Sequence, residues 1–358
     1  MSRISVVVPC YNVQQYLDWS LGALEDQTFG DFEVICVNDG STDDTLEELR
    51  SWEARDSRIH VVDQPNRGVS AARNNGIKHA TGEFLFTLDA DDRFTPDAFQ
   101  TVVDRFDETG ADIVTFGGML WPEGAQDPWS EDMLSPRDVV YDEFSTDVLF
   151  SEKSWPYAWR TAVRLSFMRD AGVLFDESLR LGEDTQLQFA LYPRAKKIAF
   201  SSAKLYQYRV TRDGSAMSSA LTDRHVMMLK HVGIVDSILR DWERGGFIEG
   251  NGPDIIGFAM RFVQRDALRL SDDEYQEVAQ ALLKVLQRYW SAEDVRSMEP
   301  RGHLSQAEKD MALTTCYRPR ASKLTRRFAL YEKDAEEQGR RAALKMLLHT
   351  VRKELPTR

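Results

Sequence analysis

Three polar clusters in this 358-residue chain each follow an apolar, β-branched run. Pro9-Cys10-Tyr11-Asn12 follows Ile4–Val8, Asn38-Asp39-Gly40-Ser41 follows Phe32–Val37, and Asp89-Ala90-Asp91-Asp92 follows Phe84–Leu88. An acid at such a strand end can accept from a base or ribose donor, and Gly and Ser let a backbone approach closely. Asp39–Asp43 also reads as a tight turn capped into a helix. Asp89 and Asp91 bracket one small residue, so their oxygens suit a hard cation, Mn²⁺ or Mg²⁺, that also holds two phosphates. Gly182-Glu183-Asp184 opens the helix-like run Thr185–Leu191. A carboxylate there is either a general base for proton abstraction or a partner of the helix dipole. Tyr208-Arg209 and the following Arg212, Gly214 and Ser215 suit a loop over phosphates, or an ordinary solvated one.

The elements that must position these groups alternate in kind. Strand-like Ile4–Val8, Phe32–Val37, Ile59–Val62 and Phe84–Leu88 are separated by helical patterns at Tyr16–Gln27, Thr45–Arg55 and Val69–Ala80. That alternation predicts βαβ units and a parallel sheet with right-handed crossovers. Ligands of open parallel sheets bind at the carboxyl ends of the strands, where the three clusters fall. Residues 117–135 read as loop, and helical spacing at 222–243, 253–270, 272–290 and 324–353 predicts a helical end to the chain. The expected divisions are an α/β half over 1–115, an acceptor-side half over 116–218 and a helical region over 219–358.

Composition narrows the classes. With 58 acidic and 45 basic residues the net charge is −13, which argues against a nucleic-acid binder. No apolar run approaches the ~20 residues that span a bilayer. Met1-Ser2-Arg3 runs directly into a strand pattern, without the apolar core of a signal peptide. Cys10, Cys36 and Cys316 are scattered and suit packing better than zinc or disulfides. The expectation is a cytoplasmic, two-domain protein. Residues 318–358 depart from the rest, with twelve basic and five acidic residues. Within them, Arg340–Lys353 groups Leu344, Leu347, Leu348 and Val351 at helical spacing. Such a helix suits an anionic membrane surface, the protein's own body or a second subunit in a homo-oligomer.

Taken in order, the motifs resemble family 2 glycosyltransferases, inverting enzymes of the nucleotide-binding GT-A fold. The pieces are Val-Val-Val-Pro-Cys-Tyr-Asn (6–12), Val-Asn-Asp-Gly-Ser-Thr-Asp-Asp-Thr (37–45) and Gly-Val-Ser-Ala-Ala-Arg-Asn-Asn-Gly (68–76). Gly-Glu-Phe-Leu-Phe-Thr-Leu-Asp-Ala-Asp-Asp (82–92), Trp159, Gly-Glu-Asp (182–184) and Tyr-Gln-Tyr-Arg (206–209) complete them. The likeness is nearest to bacterial enzymes of cell-surface polysaccharide synthesis.

This resemblance implies a nucleotide-sugar donor, UDP-linked, and a glycan or lipid-linked saccharide acceptor. It implies that Pro9, Tyr11 and Asn12 line the nucleoside pocket, with Asp39 accepting from uracil and Arg73 facing the nucleotide. Asp89 would approach the ribose, Asp91 would ligate the metal with Asp89 or Asp92 assisting, and Arg209 would meet the phosphates. Asp184 would be the base, with Glu183 as its competitor. The chain departs from the pattern after Trp159, where Arg160-Thr161-Ala162-Val163-Arg164 lacks the usual lysine. It also lacks a histidine between Gly182 and Arg224 that some relatives give to the metal. A sugar nucleotidylyltransferase is the competing enzyme class, but it would carry a Gly-rich basic loop after the first strand. A non-catalytic nucleotide- or glycan-binding scaffold is the third reading; intact Asp91 and Asp184 speak against it.

Overall fold

The β-branched runs form the strands expected of them. The computed structural model describes residues 2–210 and 223–354, with side chains to residue 347. Contacts divide the chain into two units, Met1–Asp213 and Gly214–Arg358.

In the first unit, strands β1 (Ile4–Cys10), β2 (Phe32–Asp39), β3 (Ile59–Gln64) and β4 (Phe84–Thr87) lie parallel. Helices α1 (Leu17–Glu25), α2 (Thr45–Arg55) and α3 (Val69–His79) make the crossovers between them. Then follow β5 (Arg93–Phe94), α4 (Ala98–Thr109), β6 (Ile113–Trp121), α5 (Pro128–Met133), β7 (Val139–Tyr141) and α6 (Thr146–Phe150). The unit closes with β8 (Thr161–Arg164), α7 (Leu165–Asp170), α8 (Glu183–Leu191) and β9 (Ile198–Arg209). One sheet results, ordered β3-β2-β1-β4-β8-β6-β9-β5, with β7 paired to β9. It is parallel from β3 to β4 and again at β6–β9, with antiparallel joins at β8 and at the far edge.

Both faces of β1 are covered, and Ile4, Val6, Val7 and Val8 are fully buried, which explains a continuous apolar run rather than an alternating one. Register levels the strand ends: Cys10 pairs with Asn38, and Asn38 with Asp63. Under the sheet Phe84 stacks on Phe106 at 4.0 Å, and Phe86 meets Phe94 and Phe99 edge-on. Each such ring contributes about 1.5–3 kcal/mol on burial. The sheet edge that carries the polar clusters therefore rests on a stiff floor.

Two expectations need correction. Residues 117–135 are loop only in part: β6 runs through to Trp121, 122–127 are turn and coil, and α5 follows. The misleading signal was Gly117-Gly118. A Cβ on Gly118 would lie 3.3 Å from the Trp159 ring, and the β6–β9 register shifts on either side of Gly117. These glycines serve close packing at a bulge rather than a turn. Strand β6 also runs across the expected division at residue 115.

The second unit is helical as expected, but more divided. Its helices are Arg224–Gly245, Gly252–Ala259, Arg265–Ala267, Asp272–Leu286, Ala292–Ser297, Gln306–Met311, Lys323–Gln338 and Arg340–Glu354, with π-helical turns at Met260–Gln264 and Ala312–Cys316. The long run 324–353 breaks at Gly339, whose φ of 86° ends the first helix. Leu324, Phe328, Leu344 and Met346 are exposed on this unit. No helix among the described residues is long and apolar enough to cross a membrane.

Candidate active site

The site is organised around a buried arginine. Helix α3 lies tight against the sheet because its residues there are small: a Cβ on Gly76 would come within 2.4 Å of Val7 Cγ1. Its first turn is fixed by Asp39, which accepts from the backbone N–H groups of Arg67 (2.9 Å) and Gly68 (2.8 Å) and from Gln64 Nε2 (2.7 Å). One turn later Arg73, 4% exposed, points among three carboxylates. Its Nη2 donates to Asp89 Oδ1 at 2.8 Å, and its Nη1 donates to Asp184 Oδ1 at 2.9 Å and to Glu183 Oε1 at 3.1 Å. Three carboxylates raise the Arg73 pKa despite burial, so it stays charged.

Asp184 is the most constrained of the three acids. Gly182, at φ 75°, starts α8, so both acids sit in its first turn where the helix dipole favours negative charge. Asp184 Oδ2 accepts from the Ala158 N–H at 3.1 Å. Burial pushes its carboxyl up to about 7; Arg73 opposes that rise, while Glu183 and Asp89 add to it. A carboxyl that titrates near neutrality suits proton transfer at physiological pH.

The acids after β4 have different surroundings. Asp89 is 27% exposed on its side chain, and its N–H donates to the Tyr206 hydroxyl at 3.1 Å. Asp92 is 1% exposed and accepts from the Arg209 N–H at 2.7 Å. Its carboxyl is pushed well up, by burial first and then by Asp91 and Asp89. Arg209 Nε donates to the Asp91 carbonyl at 2.9 Å, and its guanidinium lies over Trp19 and Tyr16. Among the described residues no three His, Cys, Asp or Glu side chains converge on one metal point. Asp89 is tied to Arg73 and Asp92 is buried, so this hard-oxygen set fits a cation shared with ligand phosphates better than an all-protein cage.

Beyond β1, Asn12 (φ 52°) bridges two strand ends. Its N–H donates to Ser41 Oγ at 3.1 Å and its Oδ1 accepts from the Thr42 N–H at 2.8 Å. Tyr11 is exposed, and Pro9 lies between the buried Val8 and Cys10.

Asp39, expected to meet a uracil ring, already accepts three hydrogen bonds and shapes the loop before α3. Arg73, expected to face the nucleotide, faces acids. Missed entirely were Tyr157, at φ 64°, and the Ala158 N–H that it presents to Asp184. Tyr206, stacked on Trp159 at 4.0 Å, was only part of a motif. Arg212, Gly214 and Ser215 lie outside the described residues.

Comparison with known proteins shows the family and the fold. The family model described as glycosyl transferase family 2 matches residues 5–148. Glycosyltransferase GlyG of Streptococcus pneumoniae is 30% identical over 221 residues, covering 60% of this chain and 72% of GlyG. The chain belongs to glycosyl transferase family 2. A further relative, the uncharacterized glycosyltransferase EpsJ of Bacillus subtilis, is 31% identical over 209 residues. That match covers 58% of this chain, which spans 60% of the length of EpsJ. Residues 1–349 of Staphylococcus aureus TarS, solved with UDP-GlcNAc, share the family 2 fold at a TM-score of 0.71 and 21% identity. That likeness covers 94% of this chain and 92% of the other, so the fold kinship extends into the helical end.

Proposed function

We propose that this chain is an inverting glycosyltransferase that moves a sugar from a nucleotide-sugar donor, UDP-linked, to a saccharide acceptor in cell-surface polymer synthesis. One observation carries the reading: Arg73 holds the candidate base, Asp184, and the diphosphate-side acid, Asp89, from one guanidinium. The base and the leaving-group side are thereby fixed relative to each other, which is the orientation a displacement needs.

In the reaction, the ionised Asp184 takes the proton of an acceptor hydroxyl. That oxygen bonds to the anomeric carbon from the face opposite the nucleotide, and the bond from this carbon to the diphosphate oxygen breaks. The nucleoside diphosphate leaves with the bonding pair, and the centre inverts. Arg73 keeps Asp184 oriented, and the Ala158 N–H fixes its second oxygen. Glu183, 14% exposed and also on Arg73, tunes the base. Asn12 and Tyr11 border the nucleoside, and Arg209 offers a cation beside Asp91. A divalent ion, Mn²⁺ or Mg²⁺, would be held by Asp91 with help from Asp89, and when bound it supplies positive charge to the departing diphosphate. A uridine donor is supported by TarS having been solved with UDP-GlcNAc.

The test is thermal unfolding of the full chain with UDP-, GDP- and dTDP-sugars, with and without Mn²⁺. A UDP-sugar at about 100 times its Kd adds about 2.7 kcal/mol and raises Tm. The expected result is a rise with UDP-sugars that Mn²⁺ enlarges; a flat response to every nucleotide sugar would overturn the proposal.

A further inference from the structure

We infer that Trp129, with the aromatic side chains behind it, is the acceptor subsite, and that it receives the ring of a neutral pyranose rather than a polyol phosphate. This rests on the reading of Asp184 as the base. Trp129 stands on α5 and is 49% exposed. Its ring meets Trp155 at 6.0 Å and Tyr157 at 6.1 Å, both edge-on, so the indole is braced from behind. The next residue, Ser130, shares a 2.9 Å hydrogen bond with the Tyr157 hydroxyl and donates to Asp127 Oδ2 at 2.6 Å, which pins α5 to Tyr157.

Tyr157 links this surface to the chemistry. It is a bulky residue held at φ 64°, a conformation that costs energy and persists only where its surroundings impose it. The turn sends the Tyr157 ring toward Trp129 and Trp159, while the very next N–H, of Ala158, donates to Asp184. One strained peptide therefore ties an exposed aromatic face to the proposed base.

The chemistry of the occupant follows from shape and charge. A pyranose presents a face of C–H bonds that packs flat on an indole and leaves its hydroxyls at the rim. A rigid, exposed Trp loses little entropy in making that contact. An open-chain polyol phosphate has no such face, and the charge here opposes it. Residues 122–157 hold nine acidic and only two basic residues, Arg137 and Lys153. Arg137 is bound to Glu152 and Lys153 to Asp132, leaving Glu123, Asp127 and Glu131 around α5 to repel a phosphate.

Saturation-transfer NMR on the full chain with UDP and Mg²⁺ tests this. The probes are methyl α- and β-pyranosides, cellobiose and D-ribitol 5-phosphate. Ring C–H protons of at least one pyranoside should be saturated, and ribitol phosphate should give far less. Trp129→Ala should cut the pyranoside signal about fivefold with its Tm unchanged, and Trp129→Phe should restore much of it. Equal saturation of ribitol phosphate would overturn the inference. So would a pyranoside signal that survives Trp129→Ala, or none at all while UDP is bound. The uracil protons report separately: their failure to saturate would overturn the donor reading instead.

Discussion

Each unit buries a basic side chain among carboxylates, and the two clusters are built to opposite ends. In the first unit Arg73 faces Asp89, Glu183 and Asp184, a surplus of negative charge, and the acids are 14–27% exposed. In the second unit Glu308, 1% exposed, accepts from Arg261 at 2.8 Å and pairs with Lys333 at 2.9 Å. Lys333 also meets Glu336 and Glu337. The carboxyl shifts record the difference. Burial pushes Asp184 up to about 7. Burial would also raise Glu308, but Arg261, the Ser305 N–H and Lys333 outweigh it and hold the carboxyl below its usual range. A cluster whose acid is satisfied serves the fold. One whose acid is left strained toward neutrality, part-exposed in the first turn of α8, is where we propose that proton transfer takes place.

Removing each hub separates the two kinds. Arg73→Met leaves several carboxylates facing one another without their cation, and should cost about 3–5 kcal/mol of stability along with nucleotide-sugar binding. Chemical denaturation and calorimetric titration read both effects; a loss of neither would show the cluster to be incidental. Lys333→Met removes one of two cations from Glu308 and should cost about 1.5–3 kcal/mol, leaving nucleotide-sugar affinity unchanged. A fall in that affinity would contradict the division of labour.

The most diagnostic effect is in pH. Asp184 binds its proton more tightly in the native state than in the unfolded chain, where an Asp titrates near ~3.9. Its contribution to stability therefore declines as pH rises from ~4 to about 7, by no more than ~1.4 kcal/mol per pH unit. Glu308 has the reverse sign: its contribution is present above the ordinary Glu value of ~4.3 and is lost as pH falls through its lowered value. Hydrogen exchange along Glu183–Leu191 and Gln306–Met311 at pH 4, 5.5 and 7 follows each locally. Parallel responses in the two helices would remove the contrast.

The strands and first helices were legible because buried β-branched runs and punctuating Pro, Gly and Asp state them locally; α2 at Thr45–Arg55 matches residue for residue. The pair Gly117-Gly118 misled because a glycine admitted for close packing looks the same in sequence as one admitted for a turn. At the site, the acids after β4 and at the start of α8 could be read from type and position. The hub could not. Arg73 lies 110 residues from Glu183, and beside Ala71 and Ala72 it resembles any helix residue. The Glu308–Lys333 pairing was invisible for the same reason, since only packing of Gln306–Met311 against Lys323–Gln338 brings the two together.

The central claim is that Asp184 is the base that Arg73 keeps in place. It is tested most directly by measuring sugar transfer and nucleotide-sugar affinity in Asp184→Asn, beside Glu183→Gln. The account predicts that Asp184→Asn loses transfer by at least about 100-fold while its nucleotide-sugar affinity stays within about twofold, with Glu183→Gln affected far less. Transfer near the native rate in Asp184→Asn would contradict it.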